Sequence, residues 1–125
     1  MSNGSLTFIG LGLYDEKDIS LKGIELIKKS NKVFAEFYTA KLAGTKLEHI
    51  EKVIGKSIEV LSRQDTEKGD KILDSVKNGD VSFLTAGDPM TATAHVDLRL
   101  RAIKIGIKTM VIHGSSIVTA VPGLL

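Results

Sequence analysis

Leu6-Thr7-Phe8-Ile9-Gly10-Leu11-Gly12 and Val81-Ser82-Phe83-Leu84-Thr85-Ala86-Gly87 follow one pattern. Each is a short apolar run that stops at glycine, and each is followed by an amphipathic stretch. Such runs are too short for a buried helix. Their near-continuous apolar character fits a strand covered on both faces, as in a parallel sheet. Short apolar runs recur at Lys32-Val33-Phe34-Ala35 and Lys108-Thr109-Met110-Val111-Ile112. Ser57-Ile58-Glu59-Val60-Leu61 alternates instead, which predicts a half-covered strand.

Helical signals lie between these runs. Ser20 offers an N-cap to a helix with Leu21, Ile24 and Ile27 on its apolar stripe, and Asn31 breaks it. Thr45-Lys46-Leu47-Glu48 is a capping box for a helix carrying Leu47, Ile50 and Ile54, stopped by Gly55. Lys68 to Lys77 reads as a helix facing inward through Ile72, Leu73 and Val76, followed by the turn Asn78-Gly79-Asp80. Pro89 opens a further helix with Ala92, Val96, Leu100 and Ile103 as its stripe, and Gly106 ends it. Strands interleaved with helical crossovers predict an α/β fold: a five-stranded, mainly parallel sheet with helices on both faces.

Composition narrows the function classes. A chain of 125 residues, 42% hydrophobic, can bury a core without staples. With no cysteine there is no disulfide scaffold, thiolate metal site or thiol nucleophile. A net charge of +2 gives no reason to expect direct nucleic-acid binding. No apolar run approaches the ~20 residues of a membrane span, and Met1 to Ser5 lacks the features of a signal peptide. A cytoplasmic location is the expectation.

In open parallel sheets ligands bind beyond the carboxyl ends of the strands. Those ends deliver Gly10-Leu11-Gly12-Leu13, Glu36-Phe37-Tyr38, Ala86-Gly87-Asp88-Pro89 and His113-Gly114-Ser115-Ser116. Gly10-x-Gly12 is half of a dinucleotide fingerprint whose third glycine is replaced by Asp15. Glu36 could act as the ribose-binding acid of such a site, so a Rossmann-like nucleotide-binding module is one reading and a plain strand-end turn is another. Asp88 and Pro89 fit the N-cap and first position of a helix. Asp88 is also a carboxylate at a strand end, able to hold an amine or neutralise a sulfonium.

His49, His95 and His113 have no metal-ligand spacing, so no metal site is expected. His49 reads as a surface residue. His95 falls in the first turns of a helix, where a cation is disfavoured. His113, at a strand end, could reach a ligand. A triad of Ser115 or Ser116 with His113 and Asp88 lacks the GxSxG elbow of a hydrolase. Lys28, Lys29 and Lys32, and Arg99, Arg101 and Lys104, form basic clusters that read as solvated faces or, more sharply, as a macromolecular docking surface.

Five blocks carry a family resemblance: Phe8 to Ser20, Val33 to Thr39, Leu84 to Met90, His95 to Arg99 and Ile112 to Ile117. In this order they resemble the tetrapyrrole methylase class of S-adenosylmethionine-dependent methyltransferases. The Glu36-Phe37-Tyr38-Thr39 block points to the diphthine branch of that class. The resemblance implies a two-domain homodimeric enzyme, with S-adenosyl-L-methionine bound in the cleft between domains and S-adenosyl-L-homocysteine as product. It implies N-methylation of a modified histidine on translation elongation factor 2. A corrin or porphyrin precursor is the alternative substrate. By motif, Leu13, Asp88, Thr91, Ser116 and Ile117, with Gly10 and Gly12, match cofactor-contacting positions. No catalytic residue is implied, because methyl transfer to an unprotonated amine mainly needs orientation. The absent third glycine ceases to be a defect, since this cofactor has no pyrophosphate. Residues 1–125 are then expected to be the N-terminal domain, with a C-terminal α/β domain absent from this chain. The isolated chain is expected to bind cofactor weakly and not to turn over.

Overall fold

The computed structural model describes residues 4–10, 19–36, 47–85 and 93–113. Its elements are β1 (Ser5–Gly10), α1 (Leu21–Lys29), β2 (Lys32–Glu36), α2 (Leu47–Ile54), β3 (Glu59–Val60), α3 (Arg63–Lys68), α4 (Asp70–Val76), β4 (Val81–Thr85), α5 (Thr93–Lys104) and β5 (Lys108–Ile112). The strands form one sheet in the order β3-β2-β4-β1-β5, and every pairing is parallel. This is the α/β architecture that the alternating sequence predicts.

Burial follows strand position. β4 is buried throughout, and β1 and β2 are buried apart from their first residues. The edge strand β5 is only partly covered. Side chains alternate between two apolar layers. Leu6, Phe8, Phe34, Val81 and Phe83 face one layer, with Ile72 and Val76 of α4 and Leu98 and Ala102 of α5. Ile9, Val33, Ala35 and Leu84 face the other, with Ile27 of α1 and Ile50 and Ile54 of α2. Phe8, Phe83 and Phe34 share a register row across three strands. Phe8 and Phe83 meet edge to face at 5.9 Å.

Local chemistry sets the boundaries. Ser20 Oγ accepts from Gly23 N at 3.1 Å, capping α1. Ile19 before the cap and Ile24 after it join the same apolar layer, a hydrophobic staple. Gly23 brings α1 close to β1, since a Cβ there would stand 3.2 Å from Ile9 Cγ2.

Several boundaries differ from the sequence reading. The alternating segment pairs only at Glu59 and Val60, although Leu61 N still donates to Ala35 O at 2.9 Å. The helix expected over 68–77 is α4, over Asp70–Val76, and a further short helix, α3, precedes it. Ser62 Oγ accepts from Asp65 N at 3.1 Å and starts α3, and Gly69 (φ +72°) turns the chain into α4. A Cβ on Gly69 would lie 2.6 Å from Leu98 Cδ1, so the turn needs glycine for space as well as conformation. Leu21, placed on the inner stripe of α1 by its spacing, is 81% exposed at the first helical position.

The stripe of α5 is also displaced. Leu100 and Ile103 are exposed, whereas His95, Leu98 and Ala102 are buried. The two sets lie about one residue apart in phase, or roughly 100° around the helix. An apolar stripe passes over His95, which the helix nevertheless turns inward. Thr45, Pro89 and Ala92 fall outside the described residues.

Candidate functional site

Parallel pairing brings all the carboxyl ends to one rim of the sheet. Gly10 of β1, Thr85 of β4 and Glu36 of β2 occupy one register row. This row lies one pleat beyond Phe8–Phe83–Phe34 and on the same face. β5 adds Ile112 and the exposed His113 beside β1.

Glu36 and His95 are 2% and 3% exposed. Glu36 Oε2 lies 3.2 Å from His95 Nε2 and accepts from Thr85 Oγ1 at 3.4 Å. The imidazole stands edge-on to Phe83, with ring centroids 5.3 Å apart. A carboxylate is costly to bury and is tolerated where such partners surround it. The sequence offered Glu36 as a ribose-binding acid. Its engagement with Thr85 and His95 turns it inward instead, which removes the main support for a dinucleotide site.

Three neighbouring strand ends launch the segments with the expected cofactor contacts. Leu13 follows β1 by three residues, Asp88 follows β4 by three, and Ser116 follows β5 by four. Gly10 is described, buried at the end of β1, between β4 and β5 in the sheet. Gly12, Leu13, Asp88, Thr91, Ser116 and Ile117 lie outside the described residues.

Three members of the basic clusters, Lys32, Arg99 and Arg101, make local ties. Lys32 pairs with Glu59 at 2.8 Å and sits 5.4 Å from the Phe34 ring centroid. Lys71 approaches Glu59 at 3.7 Å, and these cations hold its carboxyl below the ordinary value, led by the Lys32 hydrogen bond. Arg99 Nε donates to Thr109 Oγ1 at 3.2 Å, joining α5 to β5. Arg101 donates to Glu67 O and approaches Asp70 at 3.7 Å. Lys28, Lys29 and Lys104 are exposed, as is His49. Among the described residues no group of three metal-binding side chains converges, and no helix is long and apolar enough to cross a membrane.

The pairing of Glu36 with His95 has no sequence-spacing signature, because fold topology alone brings β2 and α5 together. A helical phase running His95–Leu98–Ala102 could have found it.

The tetrapyrrole (corrin/porphyrin) methylase family model matches residues 5–125, and the chain belongs to that family. Within the family, it is 57% identical to the diphthine synthase of Methanosarcina mazei over 95% of this chain and 45% of that protein. It is 55% identical to the diphthine synthase of Methanocella arvoryzae, over 95% of this chain and 47% of that one. A crystal structure of a diphthine synthase superposes with a TM-score of 0.91 at 44% identity, covering 97% of this chain and 48% of the other. The chain thus spans about half the length of the curated relatives it matches.

Proposed function

We propose that residues 1–125 form the N-terminal α/β domain of a diphthine synthase, with a C-terminal α/β domain completing the cofactor cleft. The observation that carries this is identity of 55–57% to diphthine synthases along nearly the whole chain. The complete enzyme N-methylates the modified histidine of translation elongation factor 2, on the route to diphthamide. It works in the cytoplasm as a homodimer.

The residues fit S-adenosyl-L-methionine on two grounds. Gly10 leaves the carboxyl-terminal rim of β1 without a side chain, and Leu13, Asp88 and Ser116 follow the ends of three adjacent parallel strands within three or four residues. Backbone at Gly10 and Gly12 approaches the ligand closely. Leu13 and Ile117 supply apolar contact, and Thr91 and Ser116 supply hydroxyls. Asp88 holds the methionine amine or the ribose hydroxyls. When bound, the cofactor supplies a methyl group activated by its sulfonium, leaving S-adenosyl-L-homocysteine. The protein's part is orientation of methyl and amine in line, which needs no strong base once the amine is unprotonated.

The family name favours a second reading, a corrin or porphyrin precursor as acceptor. Labelled methyl transfer separates the two. The two-domain protein should label elongation factor 2 carrying the carboxy-aminopropyl histidine and leave tetrapyrroles unlabelled. The isolated chain should label neither. Labelling of a tetrapyrrole alone would select the second reading.

A further inference from the structure

α5 carries two stripes, and the sheet uses one of them. His95, Leu98 and Ala102 are buried, whereas Leu100 is 58% and Ile103 49% exposed and Val96 is half-buried. Val96, Leu100 and Ile103 follow the four-then-three spacing of a helical seam. Five large apolar side chains are exposed among the described residues, and three of them, Leu100, Ile103 and Ile105, lie between 100 and 105. A single exposed leucine is ordinary, but such a concentration marks a contact surface.

The charges beside the seam select what covers it. Written as a heptad, Leu100 is an a position and Val96 and Ile103 are d positions. Asp97 and Lys104 then both fall at e, and Arg99 falls at g. In a parallel pair of helices g faces e, so Arg99 would meet Lys104 of the second copy, cation against cation. In an antiparallel pair e faces e, so Asp97 of each copy meets Lys104 of the other. Two opposite-charge pairs then flank one apolar seam. Asp97 and Lys104 are exposed, and neither forms an ion pair with another described residue. Arg99 is already engaged, through Thr109 Oγ1 on β5. The surface is therefore complementary to itself across a two-fold axis, as an isologous contact requires.

We infer that the outer stripe of α5 is a docking surface for a second copy of this chain, packed antiparallel about a two-fold axis near Leu100 and held in register by reciprocal Asp97–Lys104 pairs. It gives the homodimer proposed above a contact surface. It rests on no part of the methyl-transfer reading, which cofactor titration tests separately.

Sedimentation velocity of the 125-residue chain over a concentration series reads the contact directly. It is run beside Leu100→Ser, Asp97→Lys and the double variant Asp97→Lys/Lys104→Asp. All the substituted positions are exposed, and circular dichroism establishes that each variant is folded. The unsubstituted chain should dimerise. Leu100→Ser removes the centre of the seam and should weaken the dimer roughly tenfold or more. Asp97→Lys sets cation against cation on both flanks and should weaken it about tenfold, and the double variant should return it to within about threefold of the unsubstituted chain. A monomer at every concentration would overturn the inference. So would a dimer indifferent to Leu100→Ser, which would place the contact elsewhere, such as on the open edge of β5. A double variant no tighter than Asp97→Lys would overturn the antiparallel register.

Discussion

Two adjacent rows on one face of the sheet solve opposite problems with the same three strands. Phe8, Phe83 and Phe34 form an apolar row under α5, and two of the rings pack edge to face. One pleat toward the carboxyl end, Gly10, Thr85 and Glu36 form a polar row under the start of the same helix. The first row removes large aromatic surfaces from water, which drives folding. The second buries a carboxylate and leaves β1 without a side chain at Gly10, neither of which is an efficient route to stability. The fold tolerates that polar row at the rim where ligands of parallel sheets bind. The apolar row and the polar row are therefore separated by one pleat.

The largest effect that tests this contrast is in the apolar row. Phe83→Ala opens a cavity between Phe8 and His95 and should cost about 4 kcal/mol in chemical denaturation. A loss below about 1 kcal/mol would show that the row is not the centre of the fold. His95→Ala comes next. It strips Glu36 of a buried partner and should cost about 3 kcal/mol at neutral pH. If His95→Ala proved neutral, the polar row would be solvated rather than buried.

Gly69→Ala probes the cover over the apolar row. It combines a left-handed backbone with a clash against Leu98, and should lower stability by about 2 kcal/mol. The smallest effect is expected at the sheet edge. Glu59 is roughly two-fifths exposed, so Glu59→Gln should cost less than about 1 kcal/mol. Its carboxyl is held below the ordinary value of 4.5 by Lys32 and Lys71, so the ion pair stabilises above that pH and its contribution fades as pH falls through the folded-state value. The difference between wild type and Glu59→Gln should accordingly vanish in strong acid and shrink in high salt.

Much of this fold was legible because backbone demand and residue chemistry agree. The runs ending at Gly10, Glu36 and Thr85 are strands, Ser20 is a cap, and Gly55 and Gly106 stop helices with positive φ. Failures arose where tertiary context chose between equivalent local patterns. Leu100 and Ile103 make an apolar stripe as regular as any, yet the sheet takes His95, Leu98 and Ala102. The start of α3 was visible in Ser62-Arg63-Gln64-Asp65, a serine three residues before an acid, but it was obscured by the charged segment that follows. The candidate site was legible as a set of strand ends. The burial of Glu36 against His95 was not, because 59 residues and five described elements separate them.

The rim formed by β1, β4 and β5 is proposed to serve an S-adenosyl ligand. Its most direct test is calorimetric titration of the chain with S-adenosyl-L-homocysteine and, separately, with NAD, for wild type and Asp88→Ala. Saturable binding of S-adenosyl-L-homocysteine near one per chain is predicted, weakened at least tenfold by Asp88→Ala, with no binding of NAD. Binding of NAD in preference to S-adenosyl-L-homocysteine, or binding indifferent to Asp88→Ala, would contradict it.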